Sequence, residues 1–356
     1  MKTLIVSSRS KDIKLYQKFL EENDNYYFQQ SIFWAHVIES FGKDKFWVIL
    51  VFHENKTIGA LPLFVFKSKF GNIINSVPYS GPLGGIIIKN GYKKKKVEIY
   101  TRIFSSLATF AKKENAIAAT LISSPFWPDV NLYRKIWKPT YDLENYTLYI
   151  DLQAIPRNNS HFRNNLKRML KKAKNNGFKV IASTSTYYFN SWYKIHRLRH
   201  KELSVTPLPR KLLLNSIKFL VQNNFGRFFF IIDKNEQVVA GCLTLYSKRV
   251  IDTYIYSGSL ESYKNGAMYL LIFQVMKWSK MHKFKYFNWQ SSKPRGGGPY
   301  NFKVQWGSSE KPYFFFTKVF KSKEMQRLIN LGLERIKKEY SYHFVLPLSI
   351  LDKAKS

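Results

Sequence analysis

The feature that most restricts what this chain can fold into is an internal repeat. The segments FWVILVFHENKTIGALPLFVF (46–66) and RFFFIIDKNEQVVAGCLTLY (227–246) each place β-branched and aromatic runs on both sides of a polar turn, and both continue into a small-residue step, Gly59-Ala60 and Ala240-Gly241. Such a pattern predicts a β-hairpin. A Lys-Asn-Gly triplet follows each hairpin (Lys89-Asn90-Gly91, then Lys264-Asn265-Gly266), and after it come an apolar-periodic helix candidate and a strand ending in paired serines at Ser124 and Ser292. A helix candidate also precedes each hairpin, Ser31 to Phe41 and Tyr187 to Leu203. Helix, hairpin, helix and strand therefore occur twice in the same order, which predicts a duplicated α/β unit.

The boundary between copies is expected near Asp151 to Arg157, where LYIDLQAIPRNNS brings proline and polar residues after a strand. This divides the chain into a first domain over 1–155, a second over 156–320, and a basic C-terminal helix and tail over 321–356. The segment KSKEMQRLINLGLERIKKEY has apolar residues at helical spacing and reads as one amphipathic helix, for packing or for contact with a membrane surface. With 356 residues, 45% of them hydrophobic and 17% aromatic, the chain can bury two ordinary cores and is not expected to be disordered.

The 58 Lys and Arg against 23 Asp and Glu give a formal charge of +35, which attracts polyanions and anionic surfaces. Lys, Asn, Ile, Phe and Tyr abound together, so codon bias is a competing source of the lysines. The run Lys93 to Lys96 is read as a solvated helix start or as a phosphate contact. Cys242 is the only cysteine, which excludes an intrachain disulfide and a multi-cysteine metal site and fits a reducing compartment. MKTLIVSSRSKD turns polar too soon for a signal peptide, and no apolar stretch is long enough to span a bilayer. The expected location is cytoplasmic, or peripheral to the inner membrane face. The seven histidines give no metal-ligand spacing, so no metal is expected.

The segment TYIYSGSLESYKNGAMYLLIFQVMKWSKMHKFKYFNWQSS (253–292), the glycine-rich SSKPRGGGPYNFKVQWG (291–307) that ends in Phe302-Lys303-Val304-Gln305-Trp306-Gly307, and the helix-opening HFRNNLKRMLKKAKNNGFKV from His161 resemble the second half of the Fem family of aminoacyl transferases and their GNAT relatives. In the first half, YYFQQSIFWAHVIESFG and VPYSGPLGGIII resemble Fem-like proteins of extracellular polysaccharide systems. The resemblance spans most of residues 26 to 315. It implies an α/β (α+β) fold of two tandem GNAT-like domains, each a mixed, mostly antiparallel twisted sheet flanked by helices, with the main active cleft in the second. It also implies transfer of an acyl or aminoacyl group to an amine of a cell-envelope precursor, a sugar or a peptidoglycan-type peptide. The chain has no room for the long antiparallel coiled coil of Gram-positive Fem enzymes, so both acyl-CoA and aminoacyl-tRNA stand as cosubstrates, with no cofactor bound permanently.

Amine acylation needs a held donor, an amine at attack distance and stabilisation of the acyl oxyanion. Lys303 is the first candidate: its charge could serve the oxyanion or a substrate phosphate, against the alternative of a solvent-facing strand lysine. Tyr254 and Tyr256 alternate on a strand and face one side, where a phenol could protonate the leaving group or simply pack. Lys264, Asn265, Gly266 and Ala267 open a helix whose N–H groups could hold a donor phosphate, or mark an ordinary helix start. Arg163 and Lys167, with Arg168, share a basic helical face; Arg199 with His200 lies on the helix before the second hairpin; Arg295 and the triple glycine form an adaptable rim or a mobile turn. Tyr300, Phe302 and Trp306 complete the expected substrate contacts. Two readings outside enzymology compete: a noncatalytic RNA-binding protein, motivated by charge and aromatics, and a membrane-associated scaffold with an anionic lipid surface as partner.

Overall fold

The computed structural model describes residues 1–79, 81, 83–154, 164–292 and 294–347. These fall into two compact units, one made of the described residues within 1–146 and 312–347 and the other of those within 147–311. The chain thus enters the second unit at Thr147 and leaves it after Lys311, and the C-terminal residues return to the first unit. The boundaries expected at 155/156 and 320/321 differ because strands, which are continuous in sequence, carry the chain across.

In the first unit the strands β1 (Lys2–Ser7), β2 (Lys45–His53), β3 (Lys56–Phe66), β4 (Asn72–Asn75), β5 (Ile87–Ile88) and β6 (Ala116–Ile122) alternate with helices α1 (Ile13–Glu21), α2 (Ile32–Phe41) and α3 (Lys96–Lys113). The strand order is β1-β2-β3-β4-β6, with β5 on β3, and β6 is followed by the C-terminal part of β13 (Ser309–Val319). All these pairs are antiparallel except β4 with β6. The β2–β3 hairpin closes through Glu54 and Asn55, both at positive φ (48° and 62°), the two-residue turn whose twist matches its strands. Ser31 caps α2 by accepting the Trp34 N–H at 3.2 Å.

Strand β6 is buried along its whole length because both of its faces are covered. Ala119 and Leu121 join Ile99, Ile103 and Leu107 of α3, while Ile117 and Ala118 join Met325, Leu328 and Ile336. Those last three residues belong to α11 (Ser322–Asn330) and α12 (Leu333–Glu339). The single amphipathic helix expected over this stretch is two helices, because Gly332 at φ +81° breaks it, and its apolar face packs on the first unit's sheet.

The second unit repeats the plan. Strands β7 (Tyr141–Asp151, from Thr147), β8 (Lys179–Ala182), β9 (Gly226–Ile232), β10 (Val238–Tyr246), β11 (Val250–Gly258) and β12 (Tyr286–Gln290) form the order β7-β12-β11-β10-β9-β8. Only β11 with β12 is parallel. Helices α5 (Asn164–Asn175), α6 (Thr186–Glu202), α7 (Arg210–Phe219), α8 (Leu260–Lys264), α9 (Ala267–Met281) and α10 (Gly298–Val304) flank this sheet; the short turn α4 (Val130–Leu132) belongs to the first unit. The repeated triplet keeps its backbone as well as its sequence: Gly91 has φ 91° and Gly266 has φ 90°. No helix among the described residues is long and apolar enough to cross a membrane.

Candidate active site at the fork of two parallel strands

Strands β11 and β12 pair over three residues, Val250 with Tyr286, Ile251 with Phe287 and Asp252 with Asn288. Beyond Asp252 the pairing ends although β11 continues to Gly258, so the sheet opens into a fork. Irregularities stand on both sides of the opening: a bulge between Leu243 and Leu245 in the β10–β11 register, and another between Asn288 and Gln290 in the β12–β7 register. Bulges of this kind re-aim side chains and end ladders. Gln290 sits at φ +63°, a conformation that a non-glycine residue holds only where its surroundings impose it.

A buried polar network closes the root of the fork. Asp252, 1% exposed, accepts from Asn288 Nδ2 and from Gln290 Nε2, both at 2.8 Å. Asn288, fully buried, accepts from Thr147 Oγ1 at its side-chain oxygen (2.5 Å) and from Thr253 Oγ1 at its main-chain oxygen (3.2 Å). A carboxylate in such a place is tolerable only because its oxygens are satisfied.

Lys303 reaches into this root from α10, where Pro299 stands in the first turn. Its ammonium donates to the Trp289 carbonyl at 2.6 Å and to the Gln290 carbonyl at 3.3 Å, and the residue is 5% exposed. The alternative of a solvent-facing strand lysine is thereby overturned: the triple glycine starts a helix, and the helix buries Lys303. Burial pushes its pKa down to about 7, with the negative charge of Asp252 opposing the fall. An ammonium has three N–H bonds. Among the described residues two are engaged, and the third position is an N–H below that pKa and a lone pair above it.

Aromatic rings, half-buried at Tyr256, Tyr263, Tyr269 and Phe302 and buried at Trp289 and Trp306, crowd the surroundings. The Phe302 ring lies 5.2 Å from Tyr269, 5.7 Å from Tyr263 and 6.2 Å from each of Tyr256 and Trp306, and 6.3 Å from Trp289, centroid to centroid. Trp306 is fully buried. In this shell electrostatic interactions are stronger than in water. The expected substrate contacts Phe302 and Trp306 are thus walls of the lysine's chamber.

The other sequence candidates are distributed around the unit. Tyr254 and Tyr256 lie on β11; Tyr254 is buried, and burial pushes the Tyr256 phenol well above its ordinary range, so it stays protonated. Gly266 precedes α9 in the left-handed region, Asn265 Oδ1 accepts the Ala267 N–H at 3.1 Å, and the Lys264 carbonyl accepts from Lys172 Nζ at 3.0 Å. A Cβ on Gly266 would stand 2.4 Å from the Met169 carbonyl oxygen, so this glycine serves the approach of α5 to α9. Lys167 is exposed on α5, and Arg163 lies outside the described residues. Arg199 pairs with Glu202 at 2.7 Å and stacks over Tyr263 at 5.7 Å. Arg295 is not an open rim: its guanidinium meets both oxygens of Glu310 at 2.8–3.1 Å, and Tyr300 Oη donates to the same carboxylate at 3.0 Å.

Sequence reasoning missed Asp252, Asn288 and Gln290. The signal that could have found them was a carboxylate inside an apolar strand, VIDTYIY, together with FNWQ in a second one. It also missed His196, whose Nε2 accepts the Leu208 N–H at 3.2 Å, which makes Nδ1 the donor to Ser257 Oγ at 2.9 Å. That tautomer cannot deprotonate Ser257, and burial followed by the charge of His200 pushes its pKa down to about 3.

Residues 160–304 match the acetyltransferase (GNAT) domain family. FemX has a similar structure over 93% of this chain and 99% of its own, at TM-score 0.70 and 12% identity. The chain shares the fold of FemX, and its residues 160–304 match a GNAT domain. L-PGS from Bacillus licheniformis is similar over 89% of this chain and 94% of its own (TM-score 0.56, 12% identity), and a tandem GNAT protein from the clavulanic acid biosynthesis pathway over 89% and 98% (TM-score 0.51, 9% identity). No curated protein matches the sequence. The fork between β11 and β12 lies within the residues that match the GNAT family, and the first unit carries a counterpart where parallel β4 and β6 part after Asn75 and Thr120.

Proposed function

We propose that this protein is an acyltransferase whose second unit moves an acyl or aminoacyl group, from acyl-CoA or aminoacyl-tRNA, onto an amine of a cell-envelope precursor. The observation that carries this reading is Lys303: a buried ammonium at the root of an opened sheet, with two N–H bonds spent on main-chain carbonyls and, among the described residues, no partner for the third. In the reaction the deprotonated amine attacks the acyl carbonyl carbon and a carbon–nitrogen bond forms. The carbonyl becomes an oxyanion, which the third Lys303 N–H stabilises. Collapse breaks the carbon–sulfur or carbon–oxygen bond, the nitrogen gives up a proton, and the leaving group gains one. Tyr256, held protonated by burial, supplies that proton or hands it on, with Tyr254 as the second candidate on the same strand.

Helix α5 supports a polyanionic donor, since Lys167, Arg168, Lys171, Lys172 and Lys174 are all exposed and the helix has no acidic residue. The envelope acceptor rests on the sequence resemblance to Fem-like proteins. A thermal-shift panel of acyl-CoAs and charged tRNAs, followed by mass spectrometry of amine acceptors, tests the reading on wild type and Lys303→Ala. A stabilising donor with amide product that Lys303→Ala loses is the expected result. Absence of both shift and product with either donor class sinks it.

A further inference from the structure

The main-chain seat of Lys303 is tied to the neighbouring strand β11. Trp289 and Gln290, whose carbonyls bind the Lys303 ammonium, stand at the end of β12, where Gln290 is bent to φ +63°. Regular extended backbone would point consecutive carbonyls to opposite sides. Here both reach one ammonium, so the bend is what builds the lysine's seat. The bend is held from the neighbouring strand: one oxygen of Asp252 accepts from the Gln290 side chain and the other from Asn288, two residues earlier on β12. Asn288 is in turn fixed by Thr147 from β7 and by Thr253 from β11. The carboxylate therefore grips β12 on both sides of Trp289, at the last residue pair before the fork opens.

We propose that Asp252 is the positioning residue for Lys303, acting through Asn288 and Gln290 to hold the two carbonyls and keeping the ammonium charged across the network. The inference rests on the reading of Lys303 as the oxyanion-stabilising group. Among the described residues, the ionisable side chains packed around α10 include Asp252 and Tyr256 on β11, Tyr263 on α8 and Tyr269 on α9, with Arg199 of α6 stacked beyond Tyr263 and Arg295 paired with Glu310 beside Tyr300. Burial pushes the Tyr256 and Tyr263 phenols up, Tyr263 to about 12, so neither is an anion near neutral pH. Asp252 is the charge that favours the Lys303 ammonium.

The test pairs two readouts on the full chain: NMR titration of the Lys303 ε-methylene, assigned by its loss in Lys303→Met, and the pH profile of transfer. In Asp252→Asn the Lys303 midpoint is expected to fall by roughly one unit, as for loss of a nearby opposite charge, and the alkaline limb of transfer should fall with it. A midpoint and a profile that both superimpose on wild type overturn the inference. Gln290→Met keeps the carboxylate but cuts one tether, so turnover should drop roughly tenfold through misplacement while the midpoint stays. If Asp252→Asn does not fold, this variant decides, and unchanged turnover overturns the proposal. Should wild type form no amide with any donor while the Asp252→Asn midpoint still moves, the tie between Asp252 and Lys303 stands and the transferase reading falls. Loss of product in Lys303→Met, with an Asp252→Asn enzyme indistinguishable from wild type, leaves the transferase reading standing and overturns the tie.

Discussion

Lys303 donates to the main-chain oxygen of Trp289 at 2.6 Å, so a charged side chain from a short helix is docked on the end of β12, past its last pair with β11. Such a charge is costly to bury, and its protonation and the fold's stability are linked. Because the folded-state pKa lies near 7, far below the ordinary lysine range, the unfolded chain binds more protons than the native one above that pH. Stability should therefore rise from pH 7 toward pH 10, by up to about 1.4 kcal/mol per unit from this group. Urea unfolding of wild type and Lys303→Met at several pH values checks this. The variant should lack that rise and should gain most over wild type below pH 7; parallel curves would contradict the assignment.

The rate of transfer carries the opposite signature. A step that needs the Lys303 ammonium is lost as pH climbs through about 7, while the acceptor amine becomes a better nucleophile over the same range. A bell-shaped profile is expected, with its alkaline limb near neutrality. Lys303→Arg, whose guanidinium stays charged, should remove that limb at a lower maximal rate. A rate that keeps rising through pH 9 in wild type would instead make the neutral lysine the working form.

The two repeated glycines separate backbone strain from steric clash. Both occupy φ near +90°, but a Cβ on Gly91 meets nothing within 4 Å, whereas on Gly266 it meets the Met169 carbonyl at 2.4 Å. Gly91→Ala should cost about 1 kcal/mol, and Gly266→Ala about 2–3 kcal/mol, with hydrogen exchange rising in α5. Equal costs in urea unfolding would refute the close approach of α5.

In the first unit, His343 Nε2 meets Asp44 Oδ1 at 2.7 Å with both side chains buried, and the same segment is tied down by Phe344 bonding Asn75 through both its N–H and its carbonyl. Asp44→Ala should destabilise by about 3–5 kcal/mol, the usual result of leaving one member of a buried pair alone. It should also expose residues 340–347 to proteolysis. A loss under ~1 kcal/mol would show that the pair carries no more than a surface contact.

Much of the architecture could be read locally. Ser31 before an apolar-periodic run marks the start of α2, the polar turn at Glu54-Asn55 marks the β2–β3 hairpin, and the repeated Lys-Asn-Gly triplet marks the same backbone conformation in both copies. Caps, turns and periodicity are properties of a few neighbouring residues, so the sequence carries them. Lys303 stands out by its motif, but its setting does not. As sequence, Phe302-Lys303 after three glycines fits a strand as well as a helix, and nothing nearby says that the lysine is buried.

The order of elements, their duplication and the basic surface were determined by the chain alone, since each depends on residues adjacent in sequence or on composition. The tertiary structure alone decided that Asp252, Asn288, Gln290 and Lys303 meet, that Arg295 is spent on Glu310, and that residues 322–339 cover the first unit's sheet. The reason is register. Thirty-six residues separate Asp252 from Asn288, and it is the parallel alignment of β11 with β12, ending at that pair, that turns two isolated polar residues into one site.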